Sequence, residues 1–258
     1  MKSRLAVNAL GEVCAIPVRA IPDVKPGDSI TDVVLAAIAA ENIALHAGDI
    51  LVLKHKIISK AEGRIIRLDT VTPSRKALAT ARRNNTDPRI IELALREAKR
   101  VVRNEHVLIT ETRHGFVCAN NGVDVSNVDG GRSAVMLPLD PDASALRIHR
   151  ALKKKTKSHI PVIIADSFGR AWREGLCDVA IGVAGMPVTL DYRGRRDDYG
   201  YRLHATEEAL ADELAAMAGL VSGKSARVPA CIIRGYAYRR GTGNARRLIR
   251  AAKRDLFR

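Results

Sequence analysis

Three short apolar runs constrain this chain more than any other feature. Asp49 to Leu53, Ile160 to Ala165 and Val228 to Ile233 are too short for independent helices and rich in aliphatic residues, so each reads as a strand. The first two open onto polar residues. Leu53 leads into Lys54-His55-Lys56 and then Ser59-Lys60-Ala61-Glu62-Gly63-Arg64; Ala165 leads into Asp166-Ser167-Phe168-Gly169-Arg170. Carboxylates at strand exits are a recurring ligand position in proteins that mix helices and strands.

Helical spacing fills the intervals. Asp28 to Ala44 follows the start signal Pro26-Gly27-Asp28-Ser29, and Pro88 to Arg103 places Ile91, Leu95 and Ala98 on one face. Ser144 to Lys155 forms a basic amphipathic helix, and Thr206-Glu207-Glu208 opens another that runs to about Val221. Two alternating runs between His106 and Cys118 flank Arg113-His114-Gly115 and predict a hairpin whose second strand runs on towards Asp124. The expected fold is α+β, with mixed sheets and helices in two intimately joined lobes. With no repeat and no low-complexity linker, residues 1–258 read as one domain.

The balance of 43 Lys and Arg against 28 Asp and Glu gives a formal charge of +15, which attracts polyanions. Nucleic acid is the first class to weigh, because phosphate contacts dominate its affinity. Only 3% of residues are aromatic, and no zinc-finger, RNA-recognition or basic-zipper pattern occurs, so a nucleic-acid module is the lesser alternative. The basic residues are either a solvated face or a means of steering phosphate-bearing small substrates. No apolar run is long enough to span a membrane, and the start MKSRLAVNALGEV is too short in apolar residues for a signal peptide, so a cytoplasmic protein is expected. Cys14, Cys118, Cys177 and Cys231 lack zinc spacing and read as scattered thiols.

Several residues invite chemistry. Asp124 with Asn127, and Asp166 with Ser167, are oxygen-bearing pairs expected in turns after strands. Such pairs suit Mg²⁺ or Mn²⁺ completed by phosphate and water, but taken alone each is more often a turn former or helix cap. Lys60 is a phosphate clamp or a surface lysine. His55 and His114 have no partner at metal spacing and read as structural or substrate-contacting histidines. Ser222-Gly223-Lys224-Ser225 is no Walker motif: Ala218 stands where the first glycine belongs, and the order is helix, loop, strand. Either a phosphate-meeting loop or an ordinary turn remains.

Taken together the motifs resemble the coenzyme F420-0:L-glutamate ligases. The matching stretches are Ile21-Pro22-Asp23-Val24, Lys25 to Asp28, Ile58 to Arg64, Ile109 to Asn120, Gly122 to Val128, Leu139 to Ser144, Asp166 to Arg170, Ala180 to Gly185, Asp191 to Arg195 and Ala211 to Ala215, in order over nearly the whole chain. The resemblance implies a family-specific α+β fold, a homodimer, GTP as phosphoryl donor and two divalent cations, magnesium or manganese, with potassium as a further candidate ion. It implies that the carboxylate of coenzyme F420-0 is phosphorylated and that the amine of L-glutamate displaces the phosphate, with later glutamates joined through the γ-carboxylate.

Carried over by position, Asp124 and Asp166 correspond to ligands of one cation and Ser167 to a ligand of the second. Ile21, Pro22, Asp23, Val24, His55, Lys56, Lys60, Asn127 and the stretch from Ser222 through Gly223, Lys224 and Ser225 to Pro229 correspond to nucleotide contacts. Lys60, Asp124 and Asp166 are the residues expected to carry catalysis. Ser167 stands where threonine is usual and keeps the hydroxyl; His55-Lys56 stand where Gln-Lys or Ser-Thr pairs are usual. Some relatives carry a further nitroreductase-like domain, which this chain is expected to lack. The motifs fix the nucleotide and metals better than the acceptor, so a ligase for another amino acid or acidic acceptor is the nearest alternative.

Overall fold

The computed structural model describes residues 11–255, so the first ten residues, read above against a signal peptide, and the last three lie outside the described residues. In chain order the elements are β1 (Cys14–Val18), α1 (Ile30–Ala40), β2 (Ile50–Lys54), α2 (His55–Ala61), β3 (Ile65–Arg67), α3 (Arg75–Asn84) and α4 (Pro88–Glu97). Then follow β4 (Ala98–Glu105), β5 (Val107–Thr112), β6 (Val117–Ala119), β7 (Ser133–Val135), α5 (Pro141–Thr156), β8 (Val162–Arg170) and β9 (Arg173–Ala184). The chain continues with β10 (Leu190–Asp191), β11 (Glu207–Glu208), α6 (Leu210–Ser222) and β12 (Ala230–Arg234). This is an α+β fold.

A five-stranded sheet ordered β1-β12-β2-β8-β9 organises the molecule; β2 and β8 run parallel and the other neighbours antiparallel. Helices cover both faces. Asp178 lies opposite Ser167, and Gly182 opposite Ile164, so the two point to opposite sides of the pleat. Gly219 of α6 packs on Asp178, and Pro141 of α5 packs on Gly182 so tightly that any side chain there would collide. The apolar runs of β2 and β8 are thereby buried on both faces, from Ile50 to Leu53 and from Val162 to Ala165.

A second cluster of buried apolar residues has α3 and α4 covering β5 and β7 around Ile91, Leu93, Leu108 and Ala134. Arg64 ties the clusters together: its guanidinium pairs with Glu97 at 2.7 Å and donates from Nε to the Leu137 carbonyl at 3.1 Å.

The local signals explain most helix ends. Ser29, Asp87 and Asp140 cap α1, α4 and α5 through their side chains, with Pro88 and Pro141 in the first turns. One expectation is corrected here: the helix drawn from Pro88 to Arg103 stops at Glu97. From Ala98 the backbone pairs with β5, and Glu111 of that strand receives Lys99 at 2.9 Å and Arg100 at 2.7 Å. The helix drawn from Asp28 to Ala44 ends at Ala40, with Asn42 already left-handed at φ 54°.

Candidate active site

β2 and β8 run parallel, so β2 ends at Lys54 beside Ala165 while β8 runs on past it, and α2 starts there without a loop. His55 is therefore carried under the sheet edge, 2% exposed, with Nε2 3.3 Å from Asp166 Oδ1 and Nδ1 3.3 Å from Ser59 Oγ. Asp166 and Ser167 are not in a turn, as expected above, but inside β8, because its hairpin partner β9 keeps pairing as far as Arg173. Burial pushes the Asp166 carboxyl up, but His55 and the Ser167 amide, 2.7 Å from Oδ1, more than offset it, and the group sits below the ordinary carboxylate value.

Asp124 arrives from the second cluster. Its backbone exchanges hydrogen bonds with Val135 beside β7, and the neighbouring Val123 is buried in that cluster. The carboxylate accepts from the Ser126 amide at 2.7 Å and hydroxyl at 2.9 Å, and pairs with Lys56 at 2.7 Å. Burial raises its pKa, Lys56 and Ser126 lower it, and the net shift is downward. The charge of Asp124 acts to raise the pKa of Asp166, and the consecutive residues His55 and Lys56 meet these two carboxylates, which are 42 positions apart in sequence. Asn127 is exposed on the same turn in a left-handed conformation, φ 57°.

The other face of the sheet edge holds a second polar chain. Lys224 donates to the Ser167 hydroxyl, which donates to Asp178, and Asp178 in turn is paired with Lys54. Asp178 is 8% exposed and is pressed against α6, where a Cβ at Gly219 would lie 2.7 Å from its Oδ2. Lys54 and Asp178 were not among the residues singled out from sequence. Lys54 had a signal, as the one charge closing an apolar strand; Asp178 acquires meaning only through its pairing with Ser167 across β8 and β9.

Beside these, Lys60 on α2 reaches Asp23 at 2.7 Å. That hydrogen bond, with the charges of Lys60 and Arg227, holds the Asp23 carboxyl below its ordinary value. Arg227, in the loop from Ser222 to Pro229, thus brings its charge to bear on Asp23 in the segment Ile21 to Val24. Gly223 ends α6 at φ 57° and ψ −166°, a conformation open essentially to glycine alone, although its Cβ position is uncrowded. His114 Nε2 lies 2.9 Å from the Leu139 carbonyl and its ring packs on Phe116.

The donors at the edge are hard oxygens. The Cys118 thiol, which feels the charge of Asp166, is pushed up to about 12 by burial and stays protonated. Among the described residues no three His, Cys, Asp or Glu side chains gather as a ready-made metal cage. Two cavities bear on the edge and its far side. One, of about 250 Å³, adjoins the Asp166 strand and is lined by Phe116, Phe168, Val179 and Ile249; the other, of about 240 Å³, lies at the far end of the sheet by Tyr236 and Tyr238.

Comparison with known proteins agrees over most of the chain. Residues 19–235 match the model of a family described as F420-0:Gamma-glutamyl ligase. The chain is 45% identical to the coenzyme F420:L-glutamate ligase of Methanothermobacter thermautotrophicus, covering 95% of this chain and 99% of that protein. It is 45% identical to the protein of that name from Methanopyrus kandleri, over 91% and 93%, and 41% identical to the one from Methanocaldococcus jannaschii, over 92% and 94%.

Proposed function

This chain belongs to the F420-0:gamma-glutamyl ligase family, and we propose that it joins L-glutamate to coenzyme F420-0 in a reaction driven by GTP and dependent on divalent cations. The observation that carries this reading is that His55 and Lys56, consecutive at the start of α2, meet Asp166 and Asp124, while Lys224 and Lys54 meet Ser167 and Asp178 on the other face of the same edge. A triphosphate and a carboxylate acceptor repel each other, and a site that brings them together needs dense positive charge around fixed anionic anchors.

The donor set suits magnesium or manganese. Asp124 and Asp166 would hold one ion and Ser167 a second. Two carboxylates and a hydroxyl without a full protein cage are what such ions take when phosphate and water complete the shell. When bound, such ions cancel repulsion between phosphoryl oxygens and the acceptor carboxylate. Lys56 and Lys224, which reach Asp124 and the Ser167 hydroxyl, would then be free to pair with phosphate oxygens. Lys60, held by Asp23, and the amides of the Ser222 to Pro229 loop line the nucleotide side.

The chemistry needs two displacements. An acceptor carboxylate oxygen attacks the γ-phosphorus, GDP leaves and an acyl phosphate forms; the glutamate amine then attacks the acyl carbon, phosphate leaves and the nitrogen loses a proton. Positioning and charge stabilisation are what the protein contributes to each step.

The test is to incubate the purified chain with GTP, Mn²⁺, L-glutamate and coenzyme F420-0, then follow product mass and GDP release. One glutamyl increment per GDP is expected. Absence of the increment, or increments formed equally well without GTP, would overturn the reading.

A further inference from the structure

The cavity beside Asp166 is built, not incidental. Its floor comes from β8 and β9. Val179 lies directly opposite Asp166, and Phe168 follows it by two residues, so all three side chains share one face of the pleat. Two residues along a strand are about 7 Å, which sets the apolar floor immediately beside the reacting edge.

Phe116, 7% exposed, meets Phe168 edge to face with ring centroids 6.3 Å apart and an interplanar angle of 72°. The opposite wall is Leu248 and Ile249. That wall is anchored: Asp142 accepts from the Ala245 amide at 2.8 Å and from the Val183 amide at 2.9 Å, and Arg246 reaches Asp140 at 3.2 Å. Below it, Gly115 leaves no slack, since a Cβ there would lie 3.2 Å from Ile249 Cδ1.

The polar groups at the rim are few. Arg250 brings a positive charge, and Asp212 spends one oxygen on the Ala180 amide at 2.8 Å. Burial pushes the Asp212 carboxyl up.

We infer that this cleft between the Phe116–Phe168 pair and Ile249 holds the planar deazaflavin ring of the acceptor, so that its carboxylate end reaches Asp124 and Asp166. The inference rests on the proposed function for the identity of the acceptor. Three features select a flat aromatic ligand over an aliphatic or ionic one. A slot of about 250 Å³ matches a fused ring system in size. Its walls are an edge-to-face aromatic pair and aliphatic side chains, which favour stacking and apolar burial. Arg250 at the mouth suits the anionic linker of the acceptor, or an ionised ring hydroxyl.

The test uses a 5-deazaflavin that carries neither phosphate nor carboxylate, titrated by its fluorescence into the full chain, so that ring binding is read without any ligation. Parent protein should bind it saturably. Phe168→Ala and Ile249→Ala should weaken it about tenfold or more, while Ile249→Trp, which fills the slot, should abolish it. GTP binding by each variant checks that it is folded. The same variants should raise KM for coenzyme F420-0 more than they lower kcat. A parent that fails to bind the ring, or folded variants that bind it as tightly as the parent, would overturn the inference. If the parent binds the ring but adds no glutamate, the proposed reaction fails and the cleft stands on its own measurement.

Discussion

The two ends of the central sheet treat buried carboxylates in opposite ways. At the start of β2, Asp49 is 1% exposed and saturated by groups that cannot leave: Arg234 grips both oxygens at 2.8 Å, and the His46 amide donates to Oδ2 at 2.8 Å. At the opposite end, the fixed donors to Asp166 both address Oδ1, and Asp124, Ser167 and Asp178 are met by lysines on flexible stems. A bidentate arginine defines a geometry once; a lysine is a point charge that can move to another anion. The first arrangement locks β2 to β12, and the second leaves oxygens and cations ready to change partners.

Breaking the closed end should have the largest effect, and on stability alone. Arg234→Met strands the buried Asp49 charge and should cost about 3–5 kcal/mol in urea denaturation, with turnover per folded molecule preserved. Loss of turnover beyond the unfolded fraction would erase the contrast.

At the open end the effect reverses. Asp166→Asn should keep the fold but lower kcat by about 100-fold or more. The Asp166 carboxyl is depressed in the folded chain, so its contribution to stability is present above the ordinary value of 3.8 and is lost as pH falls through the folded value. In metal-free buffer the difference in denaturation midpoint between parent and Asp166→Asn should therefore be full at neutral pH and shrink below pH 3.8. A difference that grows on acidification would mean that the carboxyl is destabilised by its surroundings.

Smaller effects sharpen the nucleotide side. Lys60→Ala should weaken GTP binding by about 1.5–3 kcal/mol, the range of a charge-assisted hydrogen bond, with little change in thermal midpoint. Gly223→Ala should cost about 1–3 kcal/mol through backbone strain, and should lower GTP affinity by shifting the loop that carries Lys224. An equal loss of affinity and stability in Lys60→Ala would reassign that lysine to structure.

How far the sequence disclosed this comparison depends on the kind of signal. The cores of β2, β8 and β12, with α5, were readable because continuous apolar runs and amphipathic periods are local properties. The helix opening drawn at Thr206-Glu207-Glu208 is overturned: Glu207–Glu208 pair with β10, and α6 starts at Leu210 without a side-chain cap. β4 was read as helix: Lys99 to Arg103 continues the residue types of α4, and only pairing with β5 makes it a strand. α3 was not read at all, since its buried face rests on small residues such as Ala77, Thr80 and Ala81. At the site, Asp124, Asp166, Ser167 and Lys60 carried signals of type and position. His55 was read as a structural or substrate-contacting histidine and, by resemblance, as a nucleotide contact; the fold buries it against Asp166, a relation that exists because α2 follows β2 without a loop. Asp178 had no local signal; register alone sets it beside Ser167.

The central claim is that the two sequence-distant aspartates serve one divalent cation alongside GTP. The most direct measurement is a titration of Mn²⁺ into the chain with GTP present, followed by the electron paramagnetic resonance of the free ion, for the parent, Asp124→Asn, Asp166→Asn and Lys76→Met, the last an exposed lysine far from the edge. The account predicts that the parent and Lys76→Met bind the ion with the same affinity and that each aspartate variant loses at least tenfold. Unchanged Mn²⁺ affinity in either aspartate variant would contradict it.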